Sequence, residues 1–222
     1  MAVIEPTTDC LNERFRSHLV GKSSFNAFNS EVEAFIRDFD PRITYPYDWW
    51  ECRLRSKSVF NQVLNSFAGV FSYAVPTVEI VADIGRFVRG KTIHEYLAGS
   101  GYWAYTLENW GMNVYASDIR SPVYDFNLKK PFVEIHHENV SNSLPNKSEV
   151  VFMCWPPVAL SANVMPLLAK MFKSQKLIYI ADKGCCANDE THQYLEDRFH
   201  LIYSSRVPGY YGDCTAEFYS KR

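Results

Sequence analysis

The chain lacks the usual marks of several protein classes. None of its six cysteines (10, 52, 154, 185, 186 and 214) forms a Cys-x-x-Cys pair, which argues against a structural zinc site. Cys185 and Cys186 are adjacent and cannot easily bridge, so reduced cysteines in the cytoplasm are expected. No stretch approaches the ~18 consecutive apolar residues of a membrane span. The opening MAVIEPTTDCLNERF carries early acids and no long apolar run, so it does not read as a secretory leader. There is no surplus of positive charge. Lys and Arg total 23 against 25 Asp and Glu, a net charge of −2, which does not favour a dedicated nucleic-acid binder. Internal repeats and low-complexity tracts are missing too, and no catalytic triad is visible.

What is present is a large apolar fraction. The 222 residues are 47% hydrophobic and 15% aromatic, enough for one sizeable core and too few for two full enzyme domains. The first 90 residues read as a helical extension or lid and residues 91–222 as the core, with one continuous domain also possible. Phe25, Phe28, Val32, Phe35, Ile36 and Phe39 recur at helical spacing within a helix expected over 9–39, and Asp40-Pro41 and Tyr45-Pro46 interrupt it. A second helical region is expected over 48–72. A third spans Thr77 to Val88, with Thr77 as N-cap and Gly90 past its end.

From residue 91 the pattern changes to alternating strands and helices. Strands are expected at 92–96, 113–117, 132–135, 150–154, 177–180, 200–206 and 215–220, and helices at 103–110, 159–172 and 189–199. No helix separates the last two strands, and Pro208-Gly209 with Gly212-Asp213 suggests a hairpin between them. The expected fold is α/β: a three-layer sandwich with a mostly parallel seven-stranded sheet, an antiparallel last strand and an N-terminal helical extension.

The segment from Lys91 to Ile119 carries the chemistry. A buried strand runs into the turn Gly99-Ser100-Gly101, a helix follows, and a second strand ends in Asp118. An adenosine-containing cofactor needs these parts in this order. Glycines let the backbone approach closely, the helix start offers N–H groups, and the acid can take ribose hydroxyls. Two prolines after the fourth strand, in Cys154-Trp155-Pro156-Pro157, make a rigid, donor-poor loop. Its carbonyls could accept from a substrate N–H, and Trp155 could stack on a flat substrate or on adenine, or simply wedge against a helix.

These motifs resemble the class I S-adenosylmethionine-dependent methyltransferases over roughly residues 75–222. The family's first motif is acidic-x-Gly-x-Gly-x-Gly; Glu95, Leu97, Gly99 and Gly101 match it, with Leu97 where the first glycine stands. Asp118 matches the family's ribose-binding acid, and His137-Glu138-Asn139 falls where a polar residue often lies near the adenine. The fourth motif of exocyclic-amine methylating members is Asp/Asn/Ser-Pro-Pro-aromatic. Here the prolines are in register, with Trp155 and Val158 flanking them in place of the polar residue and the aromatic. The chain also resembles a subset with Gly101-Tyr102-Trp103-Ala104 after the first motif, Cys-Trp-Pro-Pro in the fourth, and Ser72 to Val81 (SYAVPTVEIV) before the first strand.

The resemblance implies an S-adenosylmethionine-dependent methyltransferase with an unidentified acceptor. It implies cofactor contacts from Glu95, Leu97, Ala98, Gly99, Gly101, Asp118, Ile119, Asn139, Cys154 and Trp155, and positioning of the reacting groups by Trp155, Pro156 and Pro157. No metal is implied. The acceptor could be a small molecule, a protein or a nucleic acid, the last not favoured by net charge. Three other readings stay open: a degenerate methyltransferase fold acting as a binding protein, an NAD-dependent oxidoreductase (Gly99 to Ala104 also fits GxGxxA), and a nucleic-acid methyltransferase.

Other features have bland and sharp explanations side by side. Tyr102-Trp103 is core packing or a cofactor contact, and Tyr73, Pro76 and Thr77 could form a lid. Trp49-Trp50 with Arg53, Arg55 and Lys57 is core plus solvated charge, or a ligand patch. Lys183 to Ala187 follows the fifth strand at the edge where ligands of open α/β sheets bind. His94, His136, His137 and His192 show no converging ligand spacing and are expected to be satisfied or solvent-facing.

Overall fold

The computed structural model describes residues 34–35, 37–53, 57–119, 131–158, 163–210 and 212–222. Most of the helix expected at 9–39 therefore lies outside the described residues. The elements that follow are α1 (Tyr47–Arg53), α2 (Lys57–Ala68), α3 (Val78–Val88), β1 (Ile93–Tyr96), α4 (Tyr102–Asn109), β2 (Val114–Asp118), β3 (His136–His137), β4 (Val150–Cys154), α5 (Met165–Lys170), β5 (Lys176–Ala181), α6 (Asp189–Arg198), β6 (Phe199–Gly209) and β7 (Gly212–Lys221).

The strands form one seven-stranded sheet in the order β3-β2-β1-β4-β5-β7-β6. The pairs among β3, β2, β1, β4 and β5 are parallel, and β7 runs antiparallel between β5 and β6. This is the mostly parallel sheet with an antiparallel last strand that the sequence led us to expect. Buried on both faces, β1 needs no alternation of polar and apolar residues.

Each face of the sheet carries helices. On one side Ile93, Val150, Phe152, Ile178, Ile180 and Phe218 pack against the buried face of α3 and against Trp103 and Leu107 of α4. On the other, Tyr96, Val151, Met153, Leu177 and Tyr179 pack against Leu167 and Leu168 of α5 and Leu195 of α6. The helix α3 illustrates why the sequence folds this way. Ile80, Val81, Ile84, Phe87 and Val88 lie on one face and are buried, each burial worth roughly 1.5–3 kcal/mol. Arg89 and Gly90, both at positive φ (52° and 76°), end it as the glycine signal suggested.

Before α3, an aromatic cluster joins Phe35, Phe39, Trp50, Phe67 and Phe71 to Tyr102 at the start of α4. Tyr102 Oη also donates to Pro41 O at 2.8 Å. Trp50 is fully buried here and Trp49 stacks on Tyr45 at 3.9 Å, so both tryptophans are core residues rather than a ligand patch.

Several local expectations change. The strand expected at 132–135 is instead the two-residue β3, paired with Ser117 and Asp118. Phe132 turns into the aromatic cluster, its N–H donating to Ser100 O at 2.9 Å, and Val133 packs beneath the glycine turn. An apolar run can serve a loop that covers a turn as well as a strand. The helix expected over 159–172 reduces, among the described residues, to α5, and Pro166 sits in its first turn, where a missing N–H costs nothing. Thr77 precedes α3 but makes no side-chain capping bond, whereas Asn188 caps α6 by accepting from Thr191 N.

Candidate functional site

The carboxyl ends of β1, β2 and β4 converge on a cavity of about 500 Å³, within the size range of small-molecule sites. Glu95, Leu97, Ala98, Gly99, Asp118, Ile119, Cys154, Trp155, Pro156 and Pro157 all line it. Ten of the sequence-derived site residues therefore meet in one place. Gly101 and Asn139 do not line it.

The glycine turn explains the meeting. After β1 the chain passes through Leu97 (φ 61°), Gly99 (φ 55°) and Gly101 (φ 77°) before entering α4. Leu97 thus adopts the left-handed conformation for which the position would favour glycine, at a cost of ~1–2 kcal/mol. Gly101 serves locally: its N–H donates to Ala98 O at 2.8 Å, and a Cβ there would meet Val133 Cγ2 at 2.9 Å. Asn139 likewise has a local task, its side-chain oxygen accepting from Ser141 N at 3.0 Å in a turn.

Asp118 ends β2 beside this turn. Its Oδ2 accepts from Gly99 N at 2.8 Å, and Ala98 N donates to Ser117 O at 3.1 Å. The acid and the turn are one hydrogen-bonded unit. Glu95 points into the cavity from β1 and is 2% exposed. Its Oε2 is buried with no hydrogen-bond partner in the protein. Burial pushes its carboxyl up to about 8, the Ala104 N–H opposing and the nearby Asp118 charge reinforcing the shift. A buried acid with one oxygen unsatisfied and facing a cavity suits a cationic ligand group.

The loop after β4 forms the opposite wall. Trp155, at φ 55°, donates its backbone N–H to Ile180 O at 2.8 Å. Its ring stacks on Tyr73 (centroids 5.3 Å, planes 19° apart) and meets Tyr210 edge-on at 6.1 Å. One of the loop carbonyls expected to face a substrate, Pro156 O, accepts from Ala187 N at 2.8 Å and so ties the loop to the segment after β5. From that segment Cys185 reaches the cavity, while Lys183 pairs instead with Glu217 at 3.1 Å. Burial raises the Cys154 thiol well above its usual range, and Ser72 hydrogen-bonds to it.

The segment before α3 closes the site, with Phe71, Ser72 and Tyr73 in the wall and Pro76 and Thr77 outside it. Trp103 Nε1 donates to Ala74 O at 3.1 Å, and Ser100 Oγ donates to Phe71 O. Val75 N donates to Pro208 O at 2.8 Å, and Tyr210 N to Tyr73 O at 2.9 Å. Tyr102 and Trp103 do both jobs left open by the sequence: each is buried in the core and each touches the cavity. Tyr210 escaped sequence reasoning, and Ser72 entered it only as the first residue of the segment before the first strand. The only signal for Tyr210 was its place in the turn between β6 and β7; nothing in the sequence shows that this hairpin returns to pair with Ala74.

The described histidines stay outside the cavity. His94 is buried, its Nε2 2.9 Å from Ser117 Oγ and 3.3 Å from Glu138, and its ring stacks on Tyr96 at 3.6 Å. His192 Nε2 lies 3.2 Å from Tyr179 Oη. Cys154, Cys185, Cys186 and Cys214 form no disulfide. Among the described residues no helix is long and apolar enough to cross a membrane, and no group of three or more His, Cys, Asp or Glu is arranged to hold a metal ion.

No protein-family model matches the chain. No curated protein sequence matches it either. Among solved structures, the magnesium protoporphyrin IX methyltransferase of Synechocystis with bound S-adenosylmethionine is similar at 15% identity and a TM-score of 0.49, over 90% of this chain and 100% of that one. TrmN of Thermus thermophilus is similar at 12% identity and a TM-score of 0.44, over 64% of this chain. The chain spans about half the length of TrmN, 48%.

Proposed function

We propose that the protein is an S-adenosylmethionine-dependent methyltransferase. The Gly99–Asp118 hydrogen bond carries this assignment, because it sets a ribose-binding acid and a close-approach glycine turn side by side at the mouth of β1 and β2. The residues fit the cofactor's chemistry. Asp118 is suited to accept from vicinal ribose hydroxyls. Glu95, with its unsatisfied buried oxygen, is suited to a protonated amino group. Leu97, Ala98 and Ile119 supply apolar walls.

When bound, the cofactor supplies an already activated methyl group, so the protein's part is alignment and exclusion of water. Trp155, Pro156 and Pro157 serve that part. The two prolines restrict the loop, the Ala187 N–H holds Pro156 O, and the ring of Trp155 is fixed between Tyr73 and Tyr210. The Phe71 to Tyr73 segment acts as the cover of the site. The strand order supports this assignment over a dinucleotide-dependent oxidoreductase, since β7 stands antiparallel between β5 and β6, unlike the 3-2-1-4-5-6 order of that class.

Calorimetric titration with S-adenosylmethionine, S-adenosylhomocysteine and NADH tests the assignment. Saturable binding of the two sulfur compounds with no heat from NADH is expected. Binding of NADH alone, or no binding at all, would overturn it.

A further inference from the structure

The cavity lining holds two groups of residues of different chemistry. Glu95, Gly99 and Asp118 are the group assigned above to the cofactor. Tyr73, Trp155 and Tyr210, in ring contact with one another, form a second, aromatic half of the lining, which also includes Pro157, Val158 and Cys185.

We propose, building on the cofactor assignment, that this second half binds a planar, uncharged nitrogen heterocycle presenting an unprotonated ring nitrogen as the methyl acceptor. Three observations lead there. First, the wall is aromatic and ordered: Tyr73 and Trp155 are stacked, and Tyr210 stands nearly perpendicular to both, at 86° and 90°. A flat ring gains from stacking and edge contacts on such a wall, and an aliphatic chain gains much less. Second, the described residues lining the cavity include two acids, Glu95 and Asp118, and no Lys, Arg or His. Among the described residues, a carboxylate or phosphate on the acceptor would find no cation to pair with.

Third, the groups beside the acceptor half are poor bases. Burial raises the thiol of Cys154 well above its usual range, and slight desolvation with the neighbouring Asp182 raises that of the exposed Cys185, so neither thiol beside the wall is poised to take a proton at neutral pH. An acceptor atom that must lose a proton before attack is therefore badly served, whereas a pyridine-type nitrogen has its lone pair ready. In the transfer its lone pair forms the new N–CH₃ bond, the S–CH₃ bond of the sulfonium breaks with its electron pair left on sulfur, and no proton is released. The positive charge moves onto the ring. The aromatic wall of Tyr73 and Trp155 stabilises that product cation.

The test uses the full chain and binding rather than turnover as its main readout. S-adenosylhomocysteine is titrated first. The saturated protein is then titrated with isoquinoline, N-methylisoquinolinium and naphthoate, and with a short single-stranded RNA, by calorimetry and tryptophan fluorescence. Isoquinoline and its N-methyl cation are expected to bind saturably, and naphthoate at least about tenfold more weakly. Tyr210→Leu is expected to weaken isoquinoline about tenfold and to leave the S-adenosylhomocysteine affinity within about twofold. Should that variant fail to fold, Tyr73→Phe with a preserved isoquinoline affinity, beside Tyr73→Leu with a weakened one, makes the same distinction. Failure of S-adenosylhomocysteine to bind would overturn the cofactor assignment and this inference with it. Binding of S-adenosylhomocysteine with no isoquinoline binding, or with naphthoate or RNA bound more tightly than isoquinoline, would overturn this inference alone.

Discussion

The Gly99 N–H donates to Asp118 Oδ2 at 2.8 Å, joining two residues 19 positions apart into one binding unit. The bond ties the carboxylate to the glycine turn and fixes its orientation. Asp118→Ala removes both the acceptor and the tie on the turn. A hydrogen bond to a charged group is worth about 1.5–3 kcal/mol, so affinity for S-adenosylmethionine should fall on the order of 10- to 100-fold. Calorimetry on a variant whose thermal unfolding has been checked measures this, and unchanged affinity would remove Asp118 from the site.

Leu97 sits at φ 61° and packs partly against the cluster under Tyr96. Leu97→Ala loses the packing and keeps the unfavourable backbone conformation. Leu97→Gly loses the same packing and relieves the backbone. The glycine variant should therefore be more stable than the alanine variant by about 1 kcal/mol, the reverse of the order in a helix or strand. Urea unfolding of the pair decides it.

Glu95 gives the ligand-free protein a pH dependence of defined sign. Its carboxyl is raised from 4.5 to about 8 in the folded state, chiefly by burial. Between those values the folded protein holds a proton that the unfolded chain has lost. The contribution to stability is complete below about pH 4.5 and is lost as pH rises through about 8. Glu95→Gln should flatten that slope in denaturation midpoints measured across the range. A cationic ligand beside Glu95 should also expel the proton, visible as binding heats that depend on the ionisation enthalpy of the buffer. Equal heats in two buffers would count against ionisation of Glu95 on binding.

His94 acts with the opposite sign. Burial lowers it from 6.5 to about 4, with Glu138 pulling the other way and His136 adding to the depression. Glu149 and Ser117 face the same ring. The unfolded chain takes up a proton near pH 6.5 that the folded protein does not accept until about 4. Stability supplied by neutral His94 is thus present above pH 6.5 and lost as pH falls through about 4. His94→Gln should make the acid side of the stability profile shallower, and an unchanged profile would show that other groups govern acid unfolding.

Trp103 Nε1 holds Ala74 O at 3.1 Å, anchoring the segment that closes the cavity. Trp103→Phe leaves a buried carbonyl without this donor, a loss of about 1–3 kcal/mol. Amide exchange around Ala74 and Val75 should quicken more than exchange in β5. Uniform quickening would mean the bond stabilises the whole fold and not the cover in particular.

Much of this protein is legible in the chain itself. The buried runs at Val150 to Cys154 and Leu177 to Ile180, the apolar face of α3, the turn at Gly99 and Gly101, and Asp118 after β2 are all local patterns, and local patterns write themselves into short stretches of sequence. Ten of the residues that the family resemblance pointed to line one cavity, because strand ends in a parallel sheet share one edge. Other features depend on what comes to lie beside a residue. The run at 132–135 reads like a strand, yet Val133 is committed to the space under Gly101 and Phe132 to the aromatic cluster. Gly101 and Asn139 have motif positions, yet their hydrogen bonds and packing are spent on neighbouring turns. Tyr73, Trp155 and Tyr210 are 82 and 55 residues apart in turn, and only the return of the β6–β7 hairpin to Ala74 brings their rings together. The sequence determined the sheet, the glycine turn and the acid beside it, because those follow from backbone preference and burial period. Tertiary packing decided the aromatic wall and the state of Glu95, because ring contacts and desolvation belong to a neighbourhood that no single stretch of chain contains.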